Sequence, residues 1–444
     1  MKKAIALALA LVMVFALAAC GSSNTGTNTN SNTGTNNASG VSEISLWTYP
    51  IGKWGDEATV KTFTDAFEAK TGIKVKVEFL AYGGDGDNKI NAAISAGEAP
   101  DMVMEGPERL AVQWGAQGHM VDLSDMLDDT DRSEIISSTL DAFTIADGTL
   151  TGYPLCMVAH CMAVNLDRFK AAGVDDVLDL TNHTWTTEGF IKAVNALSQT
   201  NDTVAAVFCQ GQGGDQGTRV LVTSLYSGKF IDAAHTAYEW DSAENVKALQ
   251  LLYDLPGVNF DASIAGGDEQ TLFKQGVLDM AFCWNAASHT NTDAGNEIGK
   301  NLKGEEVVFM NFPTDDGKVE LNGGIWGFGI FDNGDQARID ASKQFIKFVC
   351  DSDMTPEAVR QASFFPVRTS AEGVDLSKTF EGDEIMTEYL ATIVPNLGDL
   401  YSAVTPGFAD VRTLWWNMLQ EIGGGADIAA TTANYNAQAT ATIG

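Results

Sequence analysis

The first part of the folded sequence alternates between the hydrophobic periods of strands and helices. Residues 44–49 are a short apolar run, and residues 73–79 alternate apolar side chains with Lys and Glu, so both predict strands. Between them, residues 56–71 place apolar side chains at helical spacing, and Gly72 follows where a C-cap belongs. A further strand is predicted at 101–105. The alternation predicts an α/β fold with a largely parallel sheet.

The same periodicities continue to the end of the chain. They predict further helices through residues 90–96, 107–117, 166–172, 186–199, 217–228, 242–253, 335–351 and 411–422, and a glycine-rich strand at 323–331. The roughly 400 residues concerned exceed what one hydrophobic core comfortably supports, so we predict two domains.

The amino-terminal residues have the pattern of a secretory signal. Residues 1–3, MKK, are cationic, and residues 4–19 contain no charge and no helix breaker. The run is marginal for a membrane span, which needs about 20 apolar residues. It ends in Ala-Ala-Cys20-Gly, which resembles the lipobox of bacterial lipoproteins, so we predict a signal peptide at 1–19 and lipid attachment at Cys20. The alternatives are an ordinary signal peptide that contains a cysteine and a retained anchor helix.

A low-complexity segment of Gly, Ser, Thr and Asn follows up to residue 40. This composition cannot build a core, which predicts a flexible linker with a mean reach of about 25 Å. Together with Cys20, the linker predicts a domain held at the extracellular face of the cell membrane by lipid alone, in a Gram-positive type of envelope.

The charge balance excludes one class of partner. The chain carries 59 acidic and 27 basic residues, a formal net charge of −32. Binding to nucleic acid through phosphates needs a basic surface, so no nucleic-acid partner is expected. The acidity is typical of a solvated surface, and it also suits a cationic ligand.

The cysteines after Cys20 do not form a disulfide framework, because their number is odd and their spacing irregular. Cys156 and Cys161 could pair if a turn or adjacent strands bring them together. The alternative is that all five are small buried hydrophobic residues.

Ten segments, in order along residues 43 to 444, resemble one family, the extracellular solute-binding proteins of sugar ABC importers. The segments AGEAPD and AVNLDRFKAAG are the more specific. In order, the ten are LWTY, FEAKTGIKVKVEF, AAISAGEAPDMVM, WGAQGHMVDL, DGTLTGYPL with AVNLDRFKAAGV, TWTTEGFIKAVNAL, FKQGVLDMAF, NFPTDDG with LNGGIWGFGI, ASKQFIKFVCDSD and FFPVRTS.

This resemblance implies a two-lobed periplasmic-binding-protein fold with a hinge and a ligand cleft between the lobes. Lobe 1 would comprise residues 41–150 and 323–366, and lobe 2 residues 151–322 and 367–444. The chain would cross the hinge near residues 152–155, 321–323 and 365–368. The resemblance also implies a monomer that delivers a sugar or oligosaccharide to membrane permease subunits.

Sugar sites combine flat aromatic side chains with acidic, amide or Arg groups that bind hydroxyls. On the family pattern, the residues implied for ligand binding are Trp47, Tyr49, Glu105, Arg109, Asp215, Trp284, Trp326 and Phe408. Glu105 stands where the family has an aromatic residue, which adds a hydroxyl acceptor or a partner for a cation. Glu108 is a weaker candidate, and His160 is expected to be a structural histidine.

Two other functions stay open. The same fold could bind a polyamine or another small cation, which the acidity and Glu105 favour. A lipid-anchored polysaccharide hydrolase would use a carboxylate pair such as Glu105 and Glu108. The sequence has no nucleophile elbow, no zinc-binding HExxH and no P-loop, so we expect no catalytic residue, no metal and no cofactor.

Overall fold

A computed structural model describes residues 40–81, 84–207, 215–260, 266–400 and 402–443. The predicted signal peptide, the lipid-attachment residue Cys20 and the linker up to residue 39 lie outside the described residues, as does Cys209. In the described part of the chain, no helix combines the length and apolar character needed to cross a membrane.

The described residues form an α/β structure, as predicted. The strands are β1 (Glu43–Thr48), β2 (Lys74–Phe79), β3 (Met102–Glu105), β4 (Tyr153–Ala159), β5 (Cys161–Asn165), β6 (Ala205–Ala206), β7 (Val258–Asn259), β8 (Met280–Trp284), β9 (Val307–Met310), β10 (Leu321–Ile330), β11 (Phe365–Pro366), β12 (Ser370–Ala371), β13 (Val374–Asp375) and β14 (Leu397–Asp399).

Most of the α-helices coincide with the predicted ones. They are α1 (Glu57–Thr71), α2 (Gly84–Ala96), α3 (Asp129–Glu134), α4 (Ser137–Ala142), α5 (Leu166–Ala172), α6 (Thr187–Leu197), α7 (Asp215–Leu225), α8 (Ala243–Asp254), α9 (Gly266–Lys274), α10 (Ala286–Thr290), α11 (Gln336–Cys350), α12 (Thr355–Ala362), α13 (Glu384–Thr392), α14 (Phe408–Gly423) and α15 (Ile428–Thr440).

Local sequence accounts for the ends of several elements. Helix α1 stops at Gly72, whose left-handed φ of 76° is accessible to glycine without steric cost. Helix α5 begins at Asn165, whose side chain accepts a hydrogen bond from the Arg168 amide. The predicted helix at 107–117 differs from the structure, which has a π-helix at Glu108–Gln113 followed by turns.

The first sheet has seven strands in the order β11-β4-β10-β3-β1-β2, with β14 also paired to β10. Strands β1, β2 and β3 are parallel, as predicted, whereas β10 runs antiparallel to β3 and β4. The sheet is therefore mixed. Its parallel part comes from the start of the described chain, and the strands β4, β10 and β11, which pair in antiparallel fashion, come from later regions.

A second sheet, in the order β8-β5-β9, is antiparallel. The chain passes from the first sheet to the second at His160, the single residue between β4 and β5. The predicted crossing at 152–155 thus falls at the start of β4, which is paired within the first sheet. The division into two lobes at residue 150 stays a prediction.

The described cysteines, Cys156, Cys161, Cys283 and Cys350, are buried free thiols. Cys156 pairs in register with Trp326 of β10, while Cys161 pairs with Trp284 of β8, so the two belong to different sheets. The four described cysteines are thus small buried residues, and Cys156 and Cys161 form no disulfide.

Strand β10 approaches β4 so closely that two of its positions require glycine. A Cβ at Gly323 would lie 2.0 Å from the Val158 carbonyl oxygen, and one at Gly327 would lie 2.2 Å from that of Tyr153. Both distances are far inside van der Waals contact with backbone atoms, which cannot rotate away.

Replacing Gly327 with Ala is therefore expected to lower the free energy of unfolding by about 1–3 kcal/mol, because the new methyl group forces β10 and β4 apart. Urea unfolding followed by circular dichroism measures this. Gly424→Ala is the matched control, since its Cβ would meet nothing closer than 3.3 Å and its φ is −75°. Equal losses in both variants would contradict the close-approach argument.

Candidate functional site

A cavity of about 570 Å³ lies at the ends of β3 and β4, beside β10. Elements of the first sheet contribute one part of its lining, and residues near the second sheet contribute the other. The lining comprises Glu105, Gly106, Pro107, Glu108, Arg109, Val158, His160, Gln216, Asn285, Gly323, Gly324, Ile325, Trp326, Phe364, Leu400 and Arg412.

Two aromatic side chains form what we call the aromatic platform of this cavity, Trp326 and Phe364. Their rings are stacked with centroids 4.8 Å apart and planes inclined by 19°. Trp326 needs the glycine two positions before it, because a Cβ on Gly324 would lie 2.3 Å from the indole ring. The glycine-rich sequence of β10 thus makes room for the platform.

Arg109 is held rigidly at the cavity wall. Its Nε and Nη2 donate to the two carboxylate oxygens of Asp87 at 2.8 and 2.9 Å, and its Nη1 donates to Oε1 of Glu105 at 3.0 Å. The Tyr49 hydroxyl donates to the same Asp87 at 2.6 Å, and the guanidinium lies 5.1 Å from the Tyr49 ring centroid. Burial opposes the charge of Arg109, but the hydrogen bonds to Asp87 and the charge of Glu105 raise its pKa.

Glu105 has one carboxylate oxygen without a hydrogen-bond partner. Its Oε1 accepts from Arg109, while Oε2 is buried and unpaired. Burial raises the pKa of Glu105 to about 7, although the charge of Arg109 and the Gly106 amide act against the shift. A buried carboxylate oxygen that lacks a donor is costly, so a ligand that supplies a donor gains free energy here.

His160 presents the second unpaired buried atom of the cavity, Nδ1. The residue is 7% exposed, and its amide donates to the Asn322 carbonyl oxygen, which fixes it between the two sheets. Burial lowers the pKa of the imidazole to about 4, and the charges of Arg219 and Arg412 lower it further against the effect of Asp215. The ring is therefore neutral at pH 7.

Arg412 lines the cavity from helix α14 and is neutralised from behind. Its Nε and Nη2 donate to the two oxygens of Asp215 at 2.9 and 2.7 Å, and Asp215 is 2% exposed. Its Nη1 lies 3.9 Å from Oε1 of Glu108, which follows β3. Arg412 and Glu108 thus form a long ion pair between the two groups of lining residues.

The structure brings together Glu105, Arg109 and Trp326 from the predicted ligand-binding residues, and all three line the cavity. Tyr49 and Asp215 do not line the cavity. Tyr49 donates a hydrogen bond to Asp87, which holds Arg109, and Asp215 accepts two hydrogen bonds from Arg412. Sequence position alone does not distinguish a lining residue from the buried partner that orients it.

The other three predicted residues lie away from the lining. Trp47 is half-buried with the Lys89 ammonium over its ring at 5.2 Å. Trp284 is 2% exposed and packs edge-on against Phe273 in the core. Phe408 is 6% exposed and stacks against arginine. Their roles in ligand binding stay predictions without support from position.

Among the polar and aromatic lining residues, sequence reasoning missed five as ligand-binding candidates, namely His160, Gln216, Asn285, Phe364 and Arg412. A signal existed for Asn285, because it directly follows the strand β8 and precedes a helix, and its side chain caps α10 by accepting from the Ser288 amide. Within the described residues, no group of His, Cys, Asp and Glu side chains is arranged to hold a metal ion.

The chain was compared with known families and curated sequences. The model of one family, described as bacterial extracellular solute-binding protein, matches residues 62–388. No curated protein has significant sequence similarity to the chain.

Solved structures share the fold. A solute-binding protein of an ABC transporter from Thermotoga lettingae, bound with α-D-tagatose, has a TM-score of 0.71 at 17% identity and covers 90% of this chain and 100% of its own. Maltose-bound MalE3 of T. maritima has a TM-score of 0.69 at 19% identity, with 89% and 98% coverage. The GacH receptor of Streptomyces glaucescens, solved unliganded and with acarbose, has a TM-score of 0.70 at 16% identity. The match covers 91% of this chain and 99% of the GacH chain. The chain therefore has the two-lobed α/β fold of these proteins.

Replacing Glu105 with Gln is expected to change how stability depends on pH. The folded-state pKa of about 7 lies above the ordinary 4.5, so the contribution of Glu105 to stability is present below about pH 4.5 and is lost as the pH rises through 7. From about pH 4 to pH 8, the unfolding free energy of the variant should gain up to about 3 kcal/mol relative to the natural protein. Glu68→Gln, on the exposed face of α1, is the control. Parallel pH profiles for all three proteins in urea unfolding would contradict the buried, unpaired carboxylate.

Proposed function

The chain belongs to the bacterial extracellular solute-binding proteins, and from this premise we propose that it captures a sugar or oligosaccharide in the described cavity and delivers it to an ABC permease. The observation that carries the proposal is the aromatic platform facing a cavity with two buried, unpaired polar atoms, Glu105 Oε2 and His160 Nδ1.

Sugar chemistry matches this arrangement. A sugar ring has fairly apolar C–H faces, which stack on flat aromatic side chains such as Trp326. Its hydroxyls both donate and accept, so they can donate to Glu105 and satisfy the neutral imidazole of His160. Asn285 and Gln216 supply further polar groups at the wall. The tagatose, maltose and acarbose bound by the structural neighbours support the same class of ligand.

We place the ligand between two lobes, with residues 41–150 and 323–366 in lobe 1 and residues 151–322 and 367–444 in lobe 2. Strand β4 forms the crossing between them. Because lining residues come from both lobes, all the ligand contacts are completed only in a closed form, and binding shifts the equilibrium toward that form. The closed monomer is the form that permease subunits would recognise.

A small cationic solute is the second candidate, and Glu105 is the observation that favours it. Its unpaired oxygen and the nearby Glu108 carboxylate would also bind an ammonium group. The family is one of binding proteins, so we do not propose hydrolysis.

Replacing Trp326 with Ala is expected to weaken sugar binding by more than about tenfold, because it removes a stacking face. Thermal shift and calorimetry against mono- and oligosaccharides and spermidine measure this in the 41–444 fragment. Trp416→Ala is the matched control, since Trp416 is also half-buried but does not line the cavity. Sugar binding that survives Trp326→Ala would refute this site, and saturable spermidine binding without a sugar response would favour the cation.

We also propose that lipid on Cys20 anchors the protein at the extracellular face of a Gram-positive cell membrane. A receptor must stay near its permease, and the predicted linker up to residue 40 would supply a reach of about 25 Å. The linker would then set the effective concentration of loaded receptor at the transporter.

Replacing Cys20 with Ala is expected to release the protein from the membrane into the medium without changing its sugar affinity. Cell fractionation followed by immunoblotting measures the release, and calorimetry on the secreted protein measures the affinity. A Ser23→Ala variant, altered within the same segment, should stay membrane-bound. Full retention of the Cys20→Ala variant would contradict the anchor.

A further inference from the structure

A second cavity, of about 320 Å³, lies next to the first. Consecutive residues of two segments line the two cavities, because Asn322 and Asp399 line the second while the residues that follow them, Gly323 and Leu400, line the first. Helix α7 forms another wall of the second cavity through Arg219.

The lining of the second cavity contains buried polar atoms that make no hydrogen bond. Arg219 is 4% exposed, and its Nε and Nη1 make no hydrogen bond; the nearest carboxylates, Asp215 and Asp399, lie at 3.5 and 3.7 Å. Asn322 is 2% exposed, and its Oδ1 is also unpaired, although its Nδ2 donates to the Gln216 carbonyl oxygen at 2.8 Å. Unmatched donors on α7 and an unmatched acceptor on β10 therefore line the same cavity.

The polar groups that line the second cavity indicate the class of ligand. A hydroxyl can accept from Arg219 and donate to Asn322, whereas a purely anionic or cationic group matches only one of them. The formal charges of the lining also balance, with three cationic and three acidic side chains: Arg219, Lys229, Lys318, Asp316, Glu320 and Asp399. The volume is at the small end of ligand pockets, which suits one sugar ring or a smaller polyol.

One buried carboxylate connects the two cavities. Asp215 binds Arg412 of the first cavity with two hydrogen bonds and forms an ion pair with Arg219 of the second. The guanidinium of Arg219 lies between the rings of Phe230 and Phe408, at 4.9 and 5.1 Å from their centroids. A ligand that binds Arg219 thus changes the electrostatic environment of Asp215 and of Arg412.

We propose that the second cavity is a separate binding site for a small neutral polyol, and that its occupation changes the affinity of the first cavity through Arg219, Asp215 and Arg412. The coupling rests on the proposed function of the first cavity, whereas the second site does not. Since coupling between sites is reciprocal, sugar in the first cavity changes the polyol affinity by the same factor.

The test is calorimetric titration of the 41–444 protein with glycerol, ribitol and D-glucose, each alone and with the other site saturated. Thr223→Trp fills the second cavity from α7, and Thr223→Leu is a milder version in case the larger side chain impairs folding. Thr62→Trp is the matched control, because both threonines bond back to a carbonyl four residues earlier in a helix and Thr62 is exposed.

We expect two saturable events in the natural protein and in Thr62→Trp. Filling position 223 should weaken one event by more than about tenfold, and Trp326→Ala should weaken the other. A single event in the natural protein, or two events unaffected by either substitution at 223, would overturn the second site. A third outcome is two events, one weakened by substitution at position 223 and the other unaffected by Trp326→Ala. That outcome would support the second site and contradict the proposed function of the first cavity.

Discussion

The candidate site depends on the close pairing of β10 with two strands at once. Gly327 pairs in register with Glu105 of β3 on one side and with Pro154 of β4 on the other. The pairing with β4 is possible only because Gly323 and Gly327 lack side chains, since a Cβ at either position would lie 2.0 or 2.2 Å from a carbonyl oxygen of β4. This pairing places the end of β3, the end of β4 and Trp326 around one cavity. A segment distant in sequence thereby becomes the centre of the site.

The charges around the cavity follow from the cost of burying arginine. An unpaired buried guanidinium would be strongly destabilising, and each lining arginine has a carboxylate that accepts two of its hydrogen bonds. Asp87 holds Arg109, and Asp215 holds Arg412. What stays unpaired is an oxygen of Glu105 and a nitrogen of His160, each worth about 1–3 kcal/mol if a ligand satisfies it. The site is thus rigid where it is charged and unsatisfied where hydroxyls would bind.

Local elements could be predicted from the sequence, because their signals are local. Helices α1 and α5 follow from hydrophobic spacing, and the end of α1 follows from the C-cap at Gly72. The lining residues Glu105 and Trp326 were found because each lies in a segment that resembles the family. Asp87 could not be found, since only the packing of α2 beside the π-helix after β3 brings it to Arg109, 22 positions later in the chain.

Two predicted ligand-binding residues, Trp284 and Phe408, lie beside residues that line the cavity. Trp284 was chosen for its aromatic ring, but it ends β8 and packs in the core, whereas the next residue, Asn285, caps α10 and lines the cavity. Phe408 was chosen one helical turn before Arg412, which is the residue that lines the cavity. In both cases the segment reaches the cavity, but a neighbouring side chain lines it. Packing against distant elements decides which face of an element lines the cavity. For α14, the deciding contact is the pair of hydrogen bonds that Arg412 donates to Asp215.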